Sequence, residues 1–151
     1  MLRVCKMTDT VLEHSLRLFL NPEKLINNHP TIRMMTTPLD TLRKKAVHLK
    51  KYLNANSPAL NIRVVESESE TGGGSMPGMT IPSYALAVSR GNLSADSLST
   101  LLRRNEPPVI GRIKEGEVLL DMRTLLDGED RDLRDALARL GKVIKETGDG
   151  N

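Results

Sequence analysis

The sequence predicts an α+β fold, a small and mainly antiparallel sheet packed by helices, and three observations lead to it. Apolar residues recur at helical spacing in the segments 8–20, 37–53 and 129–145. Short β-branched or apolar runs at 61–66, 83–88, 107–113 and 117–122 read as strands. A chain of 151 residues has room for one domain with an appended helix, and not for a second full domain.

The first helix is expected to begin near residues 8–10, where Thr10-x-x-Glu13 has the spacing of a capping box. Val11, Leu12, Leu16, Phe19 and Leu20 share one face, and Asn21-Pro22 ends the run. Residues 22–37 read as an irregular connector, with one helical turn at 23–26 before Asn27-Asn28-His29-Pro30 breaks it. Thr37-Pro38 supplies an N-cap and an N1 proline for a helix whose Leu39, Leu42, Ala46, Leu49 and Leu53 face inward, and residues 54–58 stop it.

Ser94 is placed to cap a helix carrying Leu98, Leu101 and Leu102 inward, with Leu93 and Leu98 at the spacing of a hydrophobic staple. Residues 107–113 and 117–122, joined by Lys114-Glu115-Gly116, form the clearest hairpin, and the unbroken Val118-Leu119-Leu120 marks a strand covered on both faces. The last helix buries Leu133, Ala136, Leu137, Leu140, Val143 and Ile144, and the Gly148-Asp149-Gly150-Asn151 tail is expected to fray. The expected organisation is a helix and connector over 1–36, an α+β domain over 37–147 and a disordered tail over 148–151.

A hydrophobic fraction of 38% with three aromatic residues leaves a core of Leu, Val, Ile, Ala and Met. One cysteine and the lack of an apolar run of about 18 residues or of a basic-then-apolar leader argue against secretion and membrane spanning, so cytoplasm is the expected location. Five Lys or Arg fall within 43–51, enough to attract a polyanion. They alternate with the apolar stripe and carry no interleaved stacking aromatics, which favours an ordinary solvated face.

Gly72-Gly73-Gly74-Ser75-Met76-Pro77-Gly78 permits unusual backbone geometry or close approach of a ligand, but it lacks the terminal Lys-Ser or Lys-Thr of a phosphate cradle. A flexible linker and a functional loop both remain open for it. His14, His29 and His48 are scattered without Cys or carboxylate partners at ligand spacing, so no metal site is expected. Ser75 and Ser83 have no nucleophile-elbow sequence, and Cys5 reads as a small hydrophobe more readily than as a reactive thiol. Arg112, beside Gly111 in a strand, offers a guanidinium for a carboxylate or phosphate, while Arg123 follows Asp121 on the facing strand. A cross-strand ion pair is the alternative for both.

Leu2-Arg3-Val4-Cys5-Lys6-Met7-Thr8, the Leu16-Arg17-Leu18-Phe19-Leu20 helix end, the glycine loop with Ile81-Pro82-Ser83, and Pro107-Pro108-Val109-Ile110-Gly111-Arg112-Ile113 followed by Leu119-Leu120-Asp121-Met122-Arg123-Thr124-Leu125 together resemble bacterial selenocysteine synthase, the L-seryl-tRNA selenium transferase family. The motifs occur in the family's order and at about its spacing across nearly the whole chain. The resemblance implies the C-terminal domain of a fold type I pyridoxal-phosphate enzyme that makes selenocysteinyl-tRNA from seryl-tRNA and selenophosphate. It also implies that the cofactor lysine and the tRNA-gripping domain lie upstream, so that no catalytic, cofactor-binding or metal residue is expected here and the chain is inactive alone. Lys6 matches the lysine of the family's Arg-Val-Asp-Lys segment, not the cofactor lysine, and Cys5 stands where that segment has Asp.

By the same resemblance Arg3 matches an arginine that faces the active site, and Arg3, Gly72, Gly73, Gly74 and Arg112 are the expected substrate-binding residues. Pyridoxal phosphate would be bound mainly by the large domain. The implied partners are a second copy or a large-domain chain, with aminoacyl-tRNA met only in the full enzyme. A non-catalytic assembly or binding module built on the same fold is the alternative.

Overall fold

A computed structural model describes residues 4–70 and 78–148, with side chains through residue 141. The chain divides into two compact units, Met1–Thr37 and Pro38–Asn151.

The first unit is helical throughout. It comprises α1 (Lys6–Arg17), a 3-10 turn (Leu18–Leu20), α2 (Pro22–Asn28) and α3 (Pro30–Thr36). The expected capping box does not form: α1 starts at Lys6 with Cys5 as N-cap, and the Thr10 hydroxyl donates to the Lys6 carbonyl at 2.9 Å. Nothing in Lys6-Met7 opposes helix, so the turn nucleates earlier and Thr10 bonds back onto it. Glu13 instead pairs with Arg17 at 2.7 Å, one turn on.

The stretch expected as an irregular connector is two short helices, because each Xaa-Pro pair that looks like a stop also serves as a start. The Asn21 side chain accepts from Lys24 N at 3.2 Å and His29 Nδ1 from Ile32 N at 3.4 Å, each with proline at the first helical position. Among the described residues none of these helices buries a side chain, and Val11, Leu12, Leu16, Phe19 and Leu20 are each half exposed or more.

In the second unit α4 (Leu39–Asn56) begins after Pro38, which is its N-cap. The Thr37 hydroxyl, expected to cap α4, donates to the Arg33 carbonyl at 2.6 Å at the end of α3. The four-stranded sheet runs β1-β2-β4-β3, with β1 (Asn61–Glu70), β2 (Thr80–Ser89), β3 (Arg112–Lys114) and β4 (Glu117–Asp121), all neighbours antiparallel. Between β2 and β3 lies α5 (Ala95–Arg103), and α6 (Glu129–Gly148) follows β4.

Boundaries in the sheet differ from the sequence reading, and β2 is longer than the expected 83–88. β1 continues through Ser67-Glu68-Ser69-Glu70, because continuous pairing with β2 from Asn61↔Ser89 to Glu70↔Thr80 outweighs the weak strand preference of Glu and Ser. β3 is only Arg112–Lys114: Pro107 and Pro108 have no N–H to donate. The hairpin turn is Glu115-Gly116, both at positive φ (52° and 77°), a two-residue turn whose twist suits the strands, so Lys114 pairs with Glu117 rather than joining the loop.

Ile62, Leu86, Val88, Val118 and Leu120 face α4, α5 and α6 and pack with Leu42, Leu49, Leu53, Leu98, Leu102, Leu133 and Leu137 in one core. Val65, Ala85, Ala87 and Leu119 cluster on the other face, so Val118-Leu119-Leu120 is covered on both sides as its composition indicates. The Ser94 side chain accepts from Ser97 N at 3.2 Å and caps α5, with Leu93 packed on the cluster that holds Leu98. Ser57 Oγ donates to the Leu137 carbonyl at 3.2 Å, fastening the end of α4 to α6. The side chains of Val143 and Ile144 and the tail after Gly148 lie outside the described residues. Among those described, no helix is long and apolar enough to cross a membrane.

Candidate functional site

β1 and β3 are the outer strands of the sheet, yet Arg112 Nη2 on β3 donates to Ser67 Oγ on β1 at 2.8 Å. A flat sheet would hold those strands too far apart for one arginine to bridge, so the sheet coils until its face bearing Ala85, Ala87 and Leu119 is concave. Asp121, at the end of β4, lies at the centre of this curl.

The Asp121 carboxylate is reached from every strand. Oδ1 accepts from Ser83 Oγ on β2 at 2.6 Å and from Arg123 N at 3.0 Å; Oδ2 accepts from Ser69 Oγ on β1 at 2.7 Å and from Arg112 Nη2 at 3.3 Å. The Asp121 side chain is 9% exposed and that of Arg112 49%, so a nearly buried charge is satisfied by short donors and by one half-exposed cation. Arg123 turns its Nη2 to the Pro82 carbonyl at 2.5 Å; burial pushes its guanidinium below its ordinary value, and the Asp121 charge opposes that. At the other end of the concave face Arg63 pairs with Glu117, which also accepts from Ser89 Oγ at 3.1 Å.

Beside Arg112 lies a depression of about 610 Å³ that Lys114, Ser67, Ser83 and Tyr84 help to line, with Glu66, Glu68 and Glu70 along its β1 side. A second, of about 240 Å³, lies between Pro107-Pro108 and the start of α6, where Leu125 and Leu133 meet the carboxylates of Glu129 and Asp132. The pyridoxal phosphate that the resemblance implies requires a lysine amine in an enclosed pocket and a cradle of phosphate donors. Neither depression fits that group. Lys114 is exposed on the edge strand beside three glutamates, and the second depression has no cation in its lining.

Of the residues marked in the sequence, Arg112 has both a partner and free surface, and Arg123 is internal. Arg3, Gly72, Gly73 and Gly74 lie outside the described residues. His14 and His48 are exposed on their helices, His29 caps α3, and among the described residues no group of three or more His, Cys, Asp or Glu is arranged to hold a metal ion. In the basic run, Lys44 pairs with Asp40 at 2.7 Å and Lys45 Nζ donates to the Leu125 carbonyl at 2.9 Å, so part of that charge serves the domain itself. Cys5 is exposed, and its hydrogen bond with Thr8 holds the thiol below its ordinary value. The sequence does not mark Ser69 and Ser83 as partners of Asp121, or Ser67 as a partner of Arg112. The alternation of Ser and Glu in 66–70 is the available signal, and it becomes informative only with the β1–β2 register.

The model of the family described as L-seryl-tRNA selenium transferase matches residues 1–126. Proteins named L-seryl-tRNA(Sec) selenium transferase are similar across nearly the whole chain. One from Clostridium botulinum (strain 657 / Type Ba4) is 36% identical over 144 residues, 95% of this chain and 30% of the relative. One from Aquifex aeolicus (strain VF5) is 38% identical over 139 residues, 92% of this chain, and one from Moorella thermoacetica is 35% identical over 139 residues. The chain thus spans 30% of the length of the curated relatives it matches.

Proposed function

The chain belongs to the L-seryl-tRNA selenium transferase family, and from that premise we propose that it supplies the C-terminal α+β part of a pyridoxal-phosphate-dependent enzyme converting seryl-tRNA to selenocysteinyl-tRNA with selenophosphate. The observation that carries this reading is the match over residues 1–126 to a family whose members are about three times as long, 30% of each being covered. In that enzyme the cofactor supplies an electron sink for loss of the serine hydroxyl. The residues of the two depressions do not hold it, which supports placing the cofactor on a large domain outside this chain's own fold.

This chain's part is to shape one wall of the substrate site. Arg3, the glycines Gly72, Gly73 and Gly74, and Arg112 are its substrate-side residues, with Arg112 offering a half-exposed guanidinium to an oxyanion. The unit 37–147 corresponds to the small C-terminal domain of fold type I enzymes, and the helix and connector over 1–36 lead to the large domain. The cytoplasm, where charged tRNA is used, is its place of action.

The exposed stripe of Val11, Leu12, Leu16, Phe19 and Leu20 supports a partner surface that covers α1, provided by a large domain or a second copy. The same stripe favours a second reading, a non-catalytic assembly module. A chimera decides between them: the C-terminal 30% of the Aquifex aeolicus relative is replaced by this chain. Formation of selenocysteinyl-tRNA by the chimera, and none by the chain alone, is the expected result. A chimera that assembles like its parent but makes no product favours the assembly module, and one that neither assembles nor reacts overturns both.

A further inference from the structure

We propose that Asp121 is a positioning residue that fixes the Arg112 guanidinium for an oxyanion ligand, a carboxylate or a phosphate; this rests on assigning Arg112 to the substrate side. Asp121 is itself immobilised: Ser83 Oγ (2.6 Å) and Arg123 N (3.0 Å) hold one oxygen, and Ser69 Oγ (2.7 Å) holds the other. To this anchor Arg112 gives a single nitrogen. Nη2 donates to both Asp121 Oδ2 (3.3 Å) and Ser67 Oγ (2.8 Å), and among the described residues Nε and Nη1 make no hydrogen bond. The side chain is tethered at one corner, is 49% exposed, and faces the depression beside β1 and β2 with its remaining donors unused. A long cationic side chain otherwise loses rotamer freedom when it grips a ligand; a guanidinium already held by a buried carboxylate has paid most of that cost in the free protein.

Two effects of Asp121 on an anion oppose one another, and their opposition makes the proposal testable. Its charge repels an anion; its grip presents the guanidinium. The whole chain is titrated with inorganic phosphate, and in parallel with acetate, while the Arg112 guanidinium resonances are followed by 15N NMR and assigned with Arg112→Lys. Saturable shifts with phosphate alone mark a phosphate-type ligand, and shifts with both mark a carboxylate-type one. Asp121→Asn is expected to weaken binding about tenfold, the scale of one charge-assisted hydrogen bond, and to merge the separate Nη signals of a guanidinium held against rotation.

Unchanged or tighter binding in Asp121→Asn, as loss of a repelling charge alone would give, overturns the positioning role. Circular dichroism checks the fold of that variant. Should it unfold, Ser67→Ala removes the second tether without touching the buried charge; roughly threefold weaker binding then supports the role, and unchanged binding overturns it. If neither anion shifts Arg112 in the unaltered chain, or if Arg112→Ala binds equally well, the assignment of Arg112 to the ligand fails, separately from the question of Asp121.

Discussion

Gly111 stands where an added Cβ would meet Val118 Cγ1 at 2.6 Å and the Leu119 carbonyl oxygen at 2.9 Å, both in the strand interior. Gly111→Ala therefore forces β3 away from β4 and is expected to lower stability by about 1–3 kcal/mol in denaturant unfolding. The sequence pointed to the neighbour of this glycine, Arg112, as either an ion pair or a ligand group. The structure gives Arg112 the pair, with Asp121, and leaves half of its surface open. Asp121 itself was not legible as a hub, because an aspartate near a strand end has no local signature and its serine partners lie 38 and 52 residues away. Cys5 was read as a small hydrophobe, yet it is exposed at the start of α1 with its thiol held low by Thr8. Since a lowered value means more thiolate at a given pH below the ordinary thiol range, iodoacetamide should modify Cys5 faster at pH 7.5 than in the unfolded chain. Thr8→Val should remove much of that advantage.

At the scale of elements, strong periodicity was a better guide than local punctuation, although Ser94 caps α5 as expected. The stripes are buried at Leu42, Ala46, Leu49 and Leu53 of α4, Leu98 and Leu102 of α5, and Leu133, Ala136, Leu137 and Leu140 of α6, whereas Leu39, expected to face inward, is exposed at the start of α4. Leu137 is 0% exposed, and Leu137→Ala is expected to cost about 2–5 kcal/mol. Thr10 fits a capping pattern, but its hydroxyl bonds back to the Lys6 carbonyl of the preceding turn, as that of Thr37 does to the Arg33 carbonyl. Asn21-Pro22 and His29-Pro30 ended one helix and began the next, so a segment that reads as broken is helical. The second half of β1 was hidden because its strand character comes from pairing with β2 rather than from its own side chains. In the β3–β4 turn Glu115 adopts a φ of 52° that suits Asn or Gly better; Glu115→Asn should raise stability by roughly 0.5–1 kcal/mol in a thermal melt.

Over the whole molecule, the family match covers residues 1–126, and the chain covers 30% of the relatives' length. The second unit has a core of its own, with Leu42, Leu53, Leu86, Leu98 and Leu137 almost wholly buried, whereas the described helices of the first bury nothing. This contrast explains why the helical stripes of the second unit were legible from periodicity, whereas α1 has a stripe but no buried side chain among the described residues. Introducing Leu12→Glu and Leu16→Glu on α1 should leave the melting of the second unit unchanged and abolish any concentration-dependent association seen by light scattering. The central claim is that this chain shapes a site whose cofactor chemistry lies on another domain. The direct measurement is to mix the purified chain with pyridoxal phosphate, reduce with borohydride and map adducts by mass spectrometry. The account predicts at most scattered, substoichiometric labelling of exposed lysines. A stoichiometric adduct on one lysine, accompanied by a retained cofactor absorbance band, would contradict it and make the chain a self-contained cofactor enzyme.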